Sequence, residues 1–219
     1  MNSTNYDWID ISVPLRNGMV HWPGDEPFHR KLDKDQGKGD DCTLSSMKLS
    51  VHTGTHMDAP RHYLPGAPTI DEVPLDATVG AARVIAIRNR EAVTREELLE
   101  YSIKDGERIL FKTANSDRLW SSDAFQADFV YIDRDAADYL AQLGVRCVGI
   151  DYLSVDGYSQ DDAETHIALL GAGVWVIEGL NLSGVEAGDY ELICLPLRLM
   201  GSEGSPARAI IRPVEVVSD

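Results

Sequence analysis

Basic charge is scarce in this chain, cysteine is rare, and long apolar runs are missing. Lys and Arg number 20 against 36 Asp and Glu, a formal net charge of −16 over 219 residues. Such a surface repels phosphate backbones and anionic headgroups, so neither nucleic acid nor a membrane is an expected partner. No basic run of five or more residues offsets the imbalance. Nor does any stretch approach the roughly 20 apolar residues that a bilayer span needs. Residues 1–8 lack the positive region and apolar core of a secretory leader. The three cysteines, Cys42, Cys147 and Cys194, are widely spaced and form no CxxC pair. They offer no disulfide framework, and all three are expected as core thiols in a reducing, cytoplasmic setting.

What remains is the composition of an ordinary globular protein, 43% hydrophobic and 26% charged. With no linker or repeat, residues 1–219 are expected to form a single domain. Short β-branched runs at 8–13, 47–51, 83–87, 109–111, 129–132, 147–150, 174–177, 192–195 and 209–217 predict strands. Residues 94–97 read as a capping box opening a short helix, and 135–143 carry helical periodicity ending at Gly144. A third helix is expected over 164–170. Mixed order of this kind predicts an α/β fold with central β-structure and few short helices. Residues 23–43, polar and highly charged, are expected as a long loop. Trp8 and Trp175 are expected in the core, His21 and His29 at the surface or a pocket rim. Asp40-Asp41 and Asp161-Asp162 read as solvated loop charges.

Three of the six histidines and one aspartate fall within residues 52–62, His-Thr-Gly-Thr-His-Met-Asp-Ala-Pro-Arg-His. Imidazole and carboxylate together suit zinc, manganese or iron. His52, His56 and Asp58 would share one face of a straight strand. His56 and Asp58 would then lie about 7 Å apart, but His52 and His56 about 13 Å, too far for one ion. The chain must bend or coil between them, and Gly54 supplies the freedom. Further donors must come from elsewhere. His166, at the start of a short helix, and Glu178, after an apolar strand, are candidates, each equally readable as an ordinary polar residue.

The stretch resembles the signature of the cyclase family of metal-dependent hydrolases, to which bacterial kynurenine formamidases and isatin hydrolases belong. Further motifs follow in order: 10–15, 21–25, 148–151, 166–170, 178–180, 188–192 and 195–198. The resemblance implies a swivelling β/β/α fold and a homodimer or larger oligomer. It also implies two divalent ions per subunit, zinc or manganese. His52, His56 and Asp58 would hold the first ion; Asp58 would bridge to a second held by His166, with Glu178 touching both. His62 would be the catalytic proton donor and acceptor, and Trp22 would line the substrate pocket. Glu178, where isatin hydrolases tend to carry Gln, favours the formamidase type. Two departures stand near the site. Asp151-Tyr-Leu-Ser154 replaces the usual Asp-Thr-Pro-Ser, and Ile167 replaces a common Arg.

The implied reaction is hydrolysis of a small-molecule amide, N-formyl-L-kynurenine to L-kynurenine and formate. A metal ion lowers the pKa of its water to roughly 7, giving a hydroxide nucleophile at neutral pH. An imidazole such as His62 suits the accompanying proton transfers. The alternatives are ring opening of a cyclic amide or lactone, and a metal-binding module without turnover.

Overall fold

A computed structural model describes residues 8–158 and 163–214. Its strands follow from period-two alternation. In β7 (Arg108–Lys112), Leu110 faces one core while Ile109 and Phe111 face another. In β10 (Trp175–Glu178), Trp175 and Ile177 face the first core and Val176 the second. With β9 (Cys147–Ile150) these strands are buried but for Lys112 at the end of β7, as parallel strands covered on both faces must be.

Five more strands complete the main sheet: β1 (Ile9–Asp10), β4 (His56–Asp58), β5 (Val79–Ala86), β11 (Gly188–Pro196) and β12 (Gly204–Pro213). The order is β1-β12-β11-β5-β7-β9-β10-β4, and β4 pairs with β12 as well as β10, so the sheet closes on itself. One face buries Met57, Val84, Leu110, Ile177 and Leu192. The other packs Ile85, Phe111, Val148 and Val176 against the helices α2 (Arg95–Leu98), α4 (Arg134–Leu143) and α5 (Glu164–Gly171). Among the described residues, two further short helices, α1 (Leu75–Thr78) and α3 (Ala114–Arg118), and two ribbons accompany the sheet. The ribbons are β2 (His29–Lys34) with β3 (Leu44–Lys48) and β6 (Ala92–Val93) with β8 (Tyr131–Ile132). The expected α/β class, strand-rich with few short helices, is what the chain adopts.

Several local expectations need correction. The segment 23–43 contains β2, and its partner β3 lies at 44–48 rather than 47–51. Every residue of this ribbon is exposed, so neither strand has a buried face to impose alternation. The strand expected at 129–132 shrinks to β8, and the one at 209–217 is β12, with 215–217 outside the described residues. Thr94 caps α2 by accepting from Glu97 N, but the Glu97 carboxylate turns away to the backbone N–H groups of Arg88 and Asn89. A reciprocal capping box forms instead at Thr69 and Glu72. Helix α4 starts one residue early because Asp133 accepts from Ala136 N at 2.7 Å, and it stops at Gly144 with φ +75.

Cys147 and Cys194 are buried, but Cys42 is exposed between β2 and β3. Trp175 is buried; Trp8 is only half-buried, with the Arg212 guanidinium 4.9 Å above its ring. Asp41 pairs with Lys34 in solvent, and Asp161-Asp162 lies outside the described residues.

Candidate metal centre

The bend predicted at Gly54 is present. Its φ of +65 turns the chain between His52 and β4, so His52 swings back over the strand face that carries His56 and Asp58. His52 Nδ1 then lies 2.8 Å from Asp58 Oδ1, and His56 Nε2 lies 3.5 Å from the same oxygen. Thr55 locks the bend: its hydroxyl donates to Gly179 O at 2.6 Å and accepts from Val13 N at 2.9 Å. Gly179 itself (φ +70) passes so close that a Cβ there would sit 2.1 Å from Gly54 O.

That close approach, with the antiparallel pairing of β10 and β4, sets Glu178 opposite His56. Glu178 Oε2 is 3.2 Å from His56 Nε2, while Oε1 is 3.0 Å from His166 Nε2. Asp58 divides its oxygens in the same way, with Oδ2 turned to His166 Nε2 at 3.3 Å. Both carboxylates thus reach from one imidazole group to the other. His62 ends a single 3-10 turn, Pro60–His62, directly after β4. Its ring centroid is 5.7 Å from that of His166, and donor atoms of Asp58, His62 and His166 gather within 4.8 Å of one another. A second such group is His52, His56 and Asp58. The six residues expected at the site are therefore assembled in one place. Trp22 joins a different group of rings, edge-on to Phe125 and to Tyr158 at 5.5 Å each.

Charge in this pocket is strongly perturbed. Burial works against a charge on His56, but Glu178 and Asp58 outweigh it and hold the ring's pKa up at about 9. His166 is raised well above 6.5, its burial likewise overcome by Glu178, Asp156 and Asp58. Asp58 is held well below the ordinary carboxylate range, its burial overridden by His52, His166 and His56. His62 goes the other way: burial pushes it down to about 4, so this imidazole is neutral at pH 7.

The donor set fits a divalent cation. Among the described residues, His52 Nε2 is buried without a hydrogen-bond partner, and His56 Nε2 and Asp58 Oδ2 are buried with ion-pair contacts only, to Glu178 Oε2 at 3.2 Å and His166 Nε2 at 3.3 Å. Buried polar atoms rarely stay unpaired. Nitrogen and carboxylate oxygen donors of this kind suit zinc or manganese.

Sequence reasoning missed the groups that hold these side chains. Val155 N donates to Glu178 Oε1 at 2.7 Å, Asp156 grips His166, and Tyr63 lies against His166 with ring centroids 4.8 Å apart. Only Asp156 carried a signal, an acidic residue ten positions ahead of a histidine at a helix start. Of the two departures, Tyr152 is fully buried among Trp120, Phe125 and Phe129, and Ile167 is exposed beside His166.

Comparison with known proteins places the chain. Residues 9–157 match a family model described as putative cyclase. A kynurenine formamidase from Bacillus cereus (strain ATCC 10987 / NRS 248) is 35% identical over 208 residues, 95% of this chain and 98% of that one. A solved structure described as a potential metal-dependent hydrolase with cyclase activity superposes with a TM-score of 0.84 at 33% identity, covering 95% of this chain and 98% of that one. Isatin hydrolase A from Labrenzia aggregata shares the fold, with a TM-score of 0.81 at 23% identity over 95% of this chain and 94% of that one. With its fold, its donor cluster and relatives sharing a third of its residues along nearly the whole length, the chain belongs to the cyclase family of metal-dependent hydrolases.

Proposed function

We propose that the chain hydrolyses an aryl formamide of the N-formyl-L-kynurenine type to the free amine and formate. The observation that carries this reading is the bridging posture of Asp58 and Glu178, each with one oxygen toward His56 and the other toward His166. It supports a site for two ions. His52, His56 and Asp58 would hold one, His166 and Asp58 would hold the other, and Glu178 would serve both. Zinc suits the set, with manganese as the alternative.

Bound ions supply Lewis acidity toward the amide carbonyl and a lowered pKa for water. The protein's own part is proton handling and orientation. His62, neutral at pH 7, takes the proton of the attacking water on a ring nitrogen. It then gives that proton to the amide nitrogen, which leaves as the amine. Trp22, against Phe125 and Tyr158, supplies an edge on which an aryl group can rest.

A second reading, hydrolysis of a cyclic amide or lactone, draws on the fold shared with isatin hydrolase and on the buried Tyr152, a departure from the Asp-Thr-Pro-Ser pattern of the formamidase type. Assaying metal-replete protein with N-formyl-L-kynurenine, isatin and simple lactones separates the two. Formate release from the formamide, with the ring compounds untouched, is the expected result. Turnover of ring compounds alone would transfer the assignment, and no turnover with stoichiometric metal would leave a binding module.

The same proposal covers the chain's context. The continuous closed sheet supports one domain. Buried free thiols at Cys147 and Cys194 support a reducing cytoplasm. The exposed β2–β3 ribbon, bearing Leu32, Leu44 and Met47, supports a homodimer or larger oligomer, because an isolated two-stranded ribbon is marginal in water. Light scattering of the intact protein tests that last point.

A further inference from the structure

The loop that follows β9 grips both residues on the far side of the pocket. Val155 N donates to Glu178 Oε1 at 2.7 Å. One residue later, Asp156 turns its carboxylate to the start of α5. Its Oδ1 accepts from Thr165 N at 2.9 Å, its Oδ2 accepts from His166 N at 3.3 Å, and Oδ2 also meets His166 Nδ1. Asp156 is itself fixed, its N–H donating to Ser154 Oγ at 3.1 Å, and it is 6% exposed.

Part of this arrangement is ordinary capping. Ala163 occupies the N-cap of α5 with φ 46 and has no side chain to satisfy the first amides. Asp156 does so from earlier in the same connection between β9 and α5. Capping, however, needs only the two backbone contacts. The contact to the ring has a separate consequence: with Nδ1 on Asp156, His166 turns Nε2 toward Asp58 Oδ2 at 3.3 Å and Glu178 Oε1 at 3.0 Å. His56 is oriented by the neutral carbonyl of Gly54, with Nδ1 2.9 Å away. A carboxylate behind a ligating histidine both aims it and makes it more basic.

From these contacts we infer that Asp156 is a positioning residue that fixes His166 as the Nδ1–H tautomer and presents its Nε2 to a metal ion. The inference rests on the reading of His166 as a metal ligand. It requires that loss of the carboxylate weaken binding of one ion by about 10- to 100-fold and leave the ion held by His52 and His56 in place.

The test has two arms. In zinc-loaded protein with ¹⁵N-labelled histidine, His166 should show a protonated Nδ1 and a zinc-bound Nε2; the opposite tautomer overturns the inference without any variant. In the second arm, zinc stoichiometry and affinity are measured by chelator competition for the wild type, Asp156→Asn and Asp156→Glu. Selective weakening of one of two ions in Asp156→Asn, with partial recovery in Asp156→Glu, is expected. Unchanged affinity for both ions in Asp156→Asn overturns the positioning role. Equal loss of both ions, in step with a lower Tm of the metal-free variant, reduces Asp156 to a helix cap. Wild-type protein whose His166 carries no zinc would instead sink the underlying metal assignment.

Discussion

His62 lies nearly flat on His52, their ring centroids 4.2 Å apart and their planes 27° apart. His52 in turn touches Asp58 Oδ1 at 2.8 Å, so the stack links His62 to Asp58 through one ring. His62 also comes within ligand reach of Asp58 and His166. The proton-carrier and ligand roles therefore make different predictions. His62→Ala should keep its metal and lose 10²- to 10⁴-fold in kcat, about the worth of general acid–base catalysis. Metal analysis alongside kinetics decides, because metal lost in proportion to activity would make His62 a ligand.

Metal loading should expel protons. His56, at about 9, and His166, raised well above 6.5, are both charged at neutral pH in the metal-free protein. A ligating imidazole must be neutral. Proton release on metal binding should therefore be large at neutral pH and fall as pH rises through about 9, where His56 has already deprotonated. Calorimetric titration in buffers of differing ionisation enthalpy measures it, and release that ignores pH would contradict the assignment. The stability of the metal-free protein follows the same sign. A histidine raised from 6.5 to about 9 on folding contributes fully below 6.5, and its contribution is lost as pH climbs through about 9.

Gly179→Ala should damage the site from outside it. The new Cβ would meet Gly54 O at 2.1 Å, and φ of +70 is strained for any side chain. Destabilisation by more than about 1 kcal/mol is expected, a fall of at least about 2–4 °C in Tm. Metal affinity should fall with it, since Gly54 and Gly179 set the spacing between His56 and Glu178. An unaltered melting curve would refute the account of this contact.

Trp22→Ala should raise KM for an aryl formamide by about 2- to 10-fold, the worth of one aromatic contact, and leave KM for an alkyl formamide unchanged. Equal effects on both substrates would show the ring to be packing for Phe125 and Tyr158 only.

How much of this could be read from the chain depended on how local each relationship is. His52, His56 and Asp58 lie within seven residues, and strand arithmetic alone demanded the bend that Gly54 makes. His166 and Glu178 were individually ambiguous, because β10–β4 pairing and the docking of α5 bring them in from far along the chain. The family resemblance supplied what periodicity could not. Asp156 escaped notice because it caps α5 from nine residues ahead of Thr165, well outside the N-cap position, which is an alanine. The ribbon strand β2 was missed for a different reason: with all six residues exposed, its polar sequence carries no alternation to detect.

The double pairing of β4 also has a consequence for how the protein is made. Asp58 faces Val176 on one side and Gly204 on the other, so its strand has no neighbours until most of the chain has left the ribosome. The densest run of proposed ligands, His52, His56 and Asp58, is synthesised before β10 and β12, the two strands that pair with β4. With the ligand set proposed above, metal binding belongs to the final stage of biogenesis, and a product truncated before β12 should carry His52, His56 and Asp58 yet bind metal poorly.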